Sequence, residues 1–267
     1  MIGLEVLYVI GGAFFAAIAV LSARDATNPK RWKNTAFWGL FAVSFLFGSH
    51  LPDFANGLVV IAMVLTAGFG GLGLGLPATT GPEERRESAL RLGNRLFLPA
   101  LAIPITALAG TFLFKRPELA GLVDPKQATL VSLILGVFVA LAIAMPMLRA
   151  KPITPLQEGR RLLDTVGWAA VLPQMLAALG AVFAAAGVGT AIGQIASDWL
   201  PSGSQLAAVV AYTFGMAIFT MVMGNAFAAF PVMTAGIGLP LIVQRFGGDP
   251  AIMGAIGMLS GFCGTLM

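Results

Sequence analysis

The stretch LAAVVAYTFGMAIFTMVMGNAFAAFPVMTAGIGLPLIVQ, residues 206–244, decides the fold because it contains no charged side chain. One membrane-spanning helix needs about 20 apolar residues, so this stretch is too long for one crossing and just long enough for two arms. Gly224 and Asn225 lie near its midpoint. A turn in water normally carries several polar residues, but Asn225 is the one polar side chain between Met221 and Phe227. The pattern predicts a re-entrant helical hairpin over 206–244 with Asn225 at its tip.

Irregular backbone inside a membrane is tolerated only where protein buries it or where it lines a watery cavity. A hairpin tip at that depth therefore predicts a binding site, and transport is the first functional hypothesis. The rest of the composition agrees with a membrane protein: hydrophobic residues make up 58% of the chain, charged residues 10%, and the mean hydropathy is +0.89. The net charge of +4 comes from residues at the segment ends and does not indicate nucleic-acid binding.

The predicted fold class is an all-α polytopic membrane protein with about six transmembrane helices, the hairpin and a last helix over 250–267. The six apolar stretches before the hairpin are 3–22, 35–49, 57–76, 96–114, 128–148 and 162–186. With the N-terminus outside, the inner connections at 24–33, 77–95 and 149–161 hold twelve of the sixteen Lys and Arg residues. This bias favours that orientation and places both ends of the hairpin outside. The final apolar run has no polar anchor after it, so we expect it to be truncated.

Several polar or small residues outside the tip are candidates for the site. Gln174 follows Pro173 in the middle of span six, where it would either touch substrate or bond a neighbouring helix. Ser260, Gly261 and Thr265 in the last segment offer hydroxyl ligands or a place where that helix opens.

Two further features flank the site candidates. Asp164, at the inner edge of span six, would either join a proton relay or face the membrane surface. The segment from Gly187 to Leu200 is expected to form an interfacial arm.

The hairpin, the arm and the Gly/Ser/Thr-rich helix together resemble one half of the ion transporter superfamily, which includes the dicarboxylate/sodium symporters. More narrowly, residues 224–267, GNAFAAFPVMTAGIGLPLIVQRFGGDPAIMGAIGMLSGFCGTLM, are similar to the larger subunit of the two-component bacterial 5-oxoproline (pyroglutamate) transporters. The superfamily resemblance covers residues 160–267 and the narrower one extends over the whole chain. It implies residence in the bacterial cytoplasmic (inner) membrane. It also implies that a broken helix follows the hairpin and continues beyond this sequence.

The superfamily's hairpin tip typically reads Ser-Asn-Thr, where this chain has Gly224, Asn225 and Ala226. Asn225 alone carries over as a polar ligand, with the backbone at Gly224 and Ala226 beside it. The resemblance thus implies a site for substrate or ion at Gly224, Asn225 and Ala226, with a possible sodium ion at Gly224 and Asn225. Ser260, Gly261 and Thr265 would complete the opposite wall, and Gln174 is a weaker candidate.

The expected function is that of a subunit of a secondary active transporter, a symporter for a small carboxylate, with 5-oxoproline as the expected substrate. Residues 1–159 would be a scaffold or oligomerisation domain and residues 160–267 the transport half. An inverted-repeat carrier needs two hairpins and this chain shows one, so a smaller membrane subunit is expected to supply the second in a hetero-oligomer. The coupling ion would be Na⁺ or H⁺. The lipid bilayer is an expected partner, and neither a tightly bound cofactor nor a nucleic acid partner is expected.

Two other classes of function stay open. A membrane scaffold subunit that does not itself transport is the main alternative. An intramembrane enzyme is disfavoured because such chemistry needs a metal cluster or a nucleophile with a base at membrane depth. The chain has one His, one Cys and no acidic residue well inside a predicted span.

Overall fold

A computed structural model describes residues 1–76, 79–116, 118–119, 121–199 and 203–267. The regular structure of these ranges is helical, as predicted, apart from one isolated β-bridge between Ile2 and Val123. The helices form two compact units, residues 1–170 and residues 171–267. The sequence-based division after residue 159 concerned functional roles and stays a prediction.

The described ranges contain six helical stretches long and apolar enough to cross a membrane, which is compatible with a transmembrane protein. They are Leu4–Arg24, Pro82–Leu113, Pro125–Leu148, Thr154–Phe183, Gln205–Met223 and Ala226–Arg245. The predicted second and third spans form shorter helices of 17 and 16 residues. At about 1.5 Å per residue they reach roughly 25 Å, less than the ~30 Å hydrocarbon core.

Among the described residues, the first unit contains seven α-helices. They are α1 (Leu4–Arg24), α2 (Arg31–Phe47), α3 (Asp53–Gly68), α4 (Pro82–Leu92), α5 (Phe97–Leu113), α6 (Ala128–Leu148) and α7 (Thr154–Val166). α1 packs against α2 through a cluster of aromatic rings that includes Phe15, Trp38 and Phe41. α5 packs against α6 where Gly136 lets the helices approach, since a Cβ there would lie 2.8 Å from the Ile103 carbonyl oxygen.

The predicted span over 162–186 is divided in the structure. α7 ends at Val166, Gly167 adopts the left-handed φ of 57°, and a 3₁₀ segment, Gly167–Val171, leads to α8. α7 also differs in character from a lipid-facing span, because it buries Arg160 and Asp164. The sequence did not indicate this break, because the helix ends at a single glycine and no charged residue interrupts the apolar run at that point.

The part of the second unit that the structure describes contains five α-helices and one π-helix. They are α8 (Leu172–Ala185), α9 (Val188–Trp199), α10 (Gln205–Met223), α11 (Ala226–Met233), the π-helix Thr234–Arg245, and α12 (Pro250–Leu266). Its core joins α10, α11, the π-helix and α12 through side chains such as Tyr212, Met216, Met233 and Met253. The segment expected to be an interfacial arm forms the helix α9, which packs on the π-helix, and its location at a membrane interface stays a prediction. The last residue of that segment, Leu200, lies outside the described residues.

The last helix, α12, is continuous from Pro250 to Leu266, so the opening expected near residues 260–265 is not present. Asp249 starts this helix by accepting hydrogen bonds from the backbone N–H groups of Ala251 and Ile252. The hydroxyls of Ser260 and Thr265 donate to carbonyl oxygens of their own helix at 2.8 and 3.0 Å. These bonds are compatible with regular helix, so small polar residues alone did not open it.

Candidate functional site

The two arms of the hairpin meet at Gly224 and Asn225, the predicted turn. Gly224 has a φ of 71°, a left-handed conformation that glycine adopts without steric cost and that commonly ends a helix. Asn225 is extended, and its Oδ1 accepts a hydrogen bond from the backbone N–H of Phe227 at 2.7 Å. One end of the Asn225 side chain therefore caps α11. Its amide nitrogen, which the cap does not use, is the group that can donate to a ligand.

The turn brings two helix ends of opposite polarity together. The carbonyl end of α10 stops at Met223, and the N–H end of α11 begins at Ala226. A helix C-terminus carries partial negative charge and an N-terminus partial positive charge, so the first favours a cation and the second an anion. The charged residues of 171–267 are Asp198, Arg245 and Asp249, and none belongs to the turn. The turn itself therefore has only neutral groups for contact with an ion.

The surface around the turn is apolar. Val222 is 77% exposed, and Met221 and Phe227 are each 48% exposed. Large apolar side chains this exposed are unfavourable in water when they are contiguous. The tip of the hairpin thus has the character of a surface that lipid or another protein covers.

A buried hydroxyl lies one helical turn before the tip, and the sequence analysis missed it. Thr220 is 0% exposed, and its Oγ1 has no hydrogen-bond partner among the described residues. A threonine in a membrane helix usually donates to the carbonyl four residues earlier, as Thr213 does to Val209 at 2.7 Å. Leaving a buried hydroxyl unpaired costs about 1–3 kcal/mol, which makes Thr220 a candidate ligand. The sequence signal was a single threonine four residues before a Gly-Asn turn.

α12 packs directly against Thr220 and the tip through its glycines. A Cβ added to Gly261 would lie 2.9 Å from the Ala226 Cβ and 3.5 Å from the Thr220 Oγ1. A Cβ added to Gly264 would lie 3.0 Å from the Thr220 Cβ. The structure therefore brings together Gly224, Asn225, Ala226 and Gly261 of the predicted site and adds Thr220. The close approach requires residues without a side chain on α12.

The remaining predicted residues lie in other positions. Ser260 is 8% exposed and, like Thr265, uses its hydroxyl as a donor within α12. Gln174 lies in the first turn of α8, and its Oε1 is buried without a hydrogen-bond partner among the described residues. α8 packs on α11, where Gly180 lies against Pro231. The roles of Ser260, Thr265 and Gln174 as ligands stay predictions.

The second arm of the hairpin widens into a π-helix after Met233. In a π-helix the hydrogen bonds join residues five apart, and this rare geometry occurs frequently at functional sites. Here the Oγ1 of Thr234, the first residue of the π-helix, lies 3.3 Å from the hydroxyl oxygen of Tyr212 on α10. Gly238 lets Tyr212 and Met253 approach the same arm, since a Cβ added to Gly238 would lie 3.0 Å from the Tyr212 ring and 2.7 Å from the Met253 sulfur. The arms are thus held together by a hydroxyl pair and by close packing below the tip.

The first unit contains a different polar cluster, formed by residues from three distant parts of its sequence. Asp164 Oδ1 accepts hydrogen bonds from the Asn34 amide at 2.9 Å and from the Trp38 indole N–H at 3.1 Å. The Asn34 amide also pairs with Gly73, accepting from its N–H at 2.9 Å and donating to its carbonyl oxygen at 2.8 Å. Asp164 is therefore buried within the first unit.

A buried ion pair lies beside this cluster. Arg160 contacts Asp25 at 3.0 Å, and both side chains are 8% exposed. Burial alone would raise the pKa of the Asp25 carboxyl, but hydrogen bonds from Thr27 and the charge of Arg160 outweigh it and lower the pKa below its ordinary value of 3.8. Asp25 thus stabilises the fold above that value, and the contribution is lost as the pH falls through the lower folded pKa. Asn34 of the cluster thus ties the glycine-rich segment 69–76 to α2. The ion pair joins α7 to the end of α1, where Arg160 also donates to the Leu21 carbonyl oxygen at 2.8 Å.

The described residues contain no group of three or more His, Cys, Asp or Glu side chains able to hold a metal ion. The chain matches the family described as "Protein of unknown function (DUF979)" over residues 5–267. It belongs to the DUF979 family. No curated protein and no solved structure matches this DUF979 protein.

Proposed function

We propose that this DUF979 protein is a subunit of a secondary active transporter for a small carboxylate, with the hairpin tip as its substrate site. The observation that carries the proposal is the unpaired, fully buried hydroxyl of Thr220 beside the Gly224–Asn225 turn. Its unpaired donor is unfavourable in the isolated chain and would be satisfied when a ligand accepts from it. Transporter sites are commonly formed where helices are interrupted at the middle of the membrane.

The helix polarity at the turn supports a site for an anion with a co-transported cation. The N-terminus of α11 and the Asn225 amide would meet the carboxylate, and the last carbonyl groups of α10 would favour Na⁺. No charged side chain belongs to the turn, which suits a ligand that must leave again during each cycle. 5-Oxoproline, with one carboxylate and one lactam amide, is the substrate we propose to test first.

We further propose that the hairpin is re-entrant. Each arm, of 19 and 20 residues, is also long enough for a complete crossing. The exposed Val222, Met221 and Phe227 at the tip favour a location away from bulk water. A smaller membrane subunit would cover the tip and contribute the second, inverted hairpin. The N-terminus and the open end of the hairpin would then lie on the outer side of a bacterial inner membrane.

The proposal is tested by uptake of radiolabelled 5-oxoproline into proteoliposomes that contain this chain with its expected smaller subunit. The expected result is uptake that requires both chains and rises with an inward Na⁺ gradient. Uptake driven only by a proton gradient would show that the coupling ion is H⁺ and not Na⁺. Binding and uptake by the smaller subunit alone would show that this chain is a scaffold. Absence of uptake by the assembled pair would refute 5-oxoproline as the substrate.

The role of Asn225 requires variants that separate the cap from the ligand. Asn225→Ser keeps a side-chain oxygen that can cap α11 but removes the amide nitrogen. We expect Asn225→Ser to insert normally and to lose most uptake. Normal uptake by Asn225→Ser together with poor folding of Asn225→Ala would show that this residue only caps the helix.

A further inference from the structure

A long apolar groove runs along the first unit between α1, α6 and the start of α7. It encloses about 1000 Å³ and is lined almost entirely by apolar side chains. Among them are Leu7 and Phe14 of α1, Leu133 and Met145 of α6, and Leu156 of α7. A groove with so little polar lining is unsuited to a polar solute.

The length of the groove matches a lipid chain. Its lining extends along α1 from Leu4 to Ala17. Thirteen steps of about 1.5 Å give roughly 20 Å, longer than the ~15 Å of hydrocarbon in one leaflet. The groove can therefore take one acyl chain over its full depth in a leaflet.

The two ends of the groove differ in charge. Glu5 follows Leu4 at one end. At the other end Arg149 and Lys151 lie in the connection between Met145 and Pro152, which both line the groove. Arg149 and Lys151 are exposed, and neither forms an ion pair with a described residue. The ion pairs nearby involve Arg160 and Arg161 instead.

Two unpaired cations at the mouth of an apolar groove are complementary to an anionic headgroup attached to an acyl chain. Basic pockets between membrane helices on the cytoplasmic side are typical sites for anionic phospholipids. The predicted topology, in which Lys and Arg favour the inner connections, also puts residues 149–161 on that side. We propose that this groove is a binding site for an anionic membrane phospholipid, with an acyl chain between α1 and α6 and the phosphate at Arg149 and Lys151.

The test compares phosphatidylglycerol with phosphatidylcholine of identical acyl chains, by native mass spectrometry of the delipidated full chain. We expect clear preference for phosphatidylglycerol. The double variant Arg149→Gln/Lys151→Gln should weaken phosphatidylglycerol binding on the order of 30-fold and abolish the preference. Arg86→Gln, an exposed basic residue of α4 that does not line the groove, serves as the control.

A second variant tests the acyl chain separately. Ala13 lines the groove and is exposed, so Ala13→Trp fills the groove without altering a buried position. We expect Ala13→Trp to reduce binding of both lipids, and Leu108→Trp, on an exposed position of α5, to leave it unchanged. Equal binding of the two lipids, or unchanged binding by Ala13→Trp, would overturn the proposal. A photoreactive phenylalanine at position 13 that cross-links to protein and not to lipid would also overturn it.

Discussion

Replacement of Thr220 by valine should stabilise the protein and impair transport at the same time. Valine has nearly the same shape as threonine but lacks the hydroxyl. Because the Thr220 Oγ1 is fully buried and has no partner among the described residues, its removal ends a desolvation penalty. That penalty is about 1–3 kcal/mol, and we expect Thr220→Val to increase the free energy of unfolding by part of it, about 1 kcal/mol.

The expected effect on transport has the opposite sign. A hydrogen bond to a charged ligand contributes about 1.5–3 kcal/mol, so its loss should lower uptake efficiency by about 10- to 100-fold. Thr213→Val is the matched control, since Thr213 lies on the same helix and already donates to the Val209 carbonyl oxygen. We expect the control to change stability by less than about 1 kcal/mol and to transport normally.

Two assays decide the matter: thermal unfolding of the purified protein in detergent, and substrate uptake in proteoliposomes. At this chain length 1 kcal/mol corresponds to a shift in Tm of about 2–4 °C. A lower Tm for Thr220→Val than for the wild type would refute the reasoning, because it would mean that the hydroxyl is paired in the folded protein. A raised Tm with normal uptake would show that the hydroxyl is unpaired but has no part in the site.

Three further predictions concern other features. Asp164→Ala should destabilise the first unit by about 3 kcal/mol, because the Asn34 and Trp38 donors lose a charged acceptor. Asp164→Asn should destabilise it less, because its amide oxygen can still accept a hydrogen bond. Chemical or thermal unfolding measures both effects. Gly261→Val should force α12 away from the hairpin and lower Tm by several degrees, while a Gly39→Val control, where a Cβ meets no atom within 4 Å, should change it far less. The wild type should lose stability as the pH falls through the folded pKa of Asp25. Asp25→Asn should be less stable than the wild type at neutral pH, but its stability should depend less on acid pH. A series of Tm measurements against pH tests both expectations.

Much of the fold was predictable because it follows from local composition. Residues 206–244 form a run of 39 uncharged residues with one Gly-Asn pair at its centre. Two helices joined at that pair satisfy the backbone hydrogen bonds of such a run without exposing it to lipid. The structure has α10 and α11 on either side of Gly224 and Asn225, as the sequence predicts. The all-helical class follows from the same long apolar runs.

The features that escaped prediction depend on which side chains meet. The break at Gly167 was hidden because an apolar run shows length and not backbone conformation. Asp164 was expected in a proton relay or at the membrane surface, and its burial against Asn34 and Trp38 depends on residues more than 120 positions earlier. No local pattern carries that information.

The sequence by itself determined the helical class, the compatibility with a membrane and the position of the turn, because each depends on the polarity of neighbouring residues. Only the tertiary structure decided that Thr220 is buried without a partner, that Gly261 lies against Ala226, and that the hydroxyls of Ser260 and Thr265 donate within their own helix. These are properties of contacts between helices. A hydroxyl becomes a candidate ligand through what surrounds it, and the surroundings exist only once α12 has packed against the hairpin.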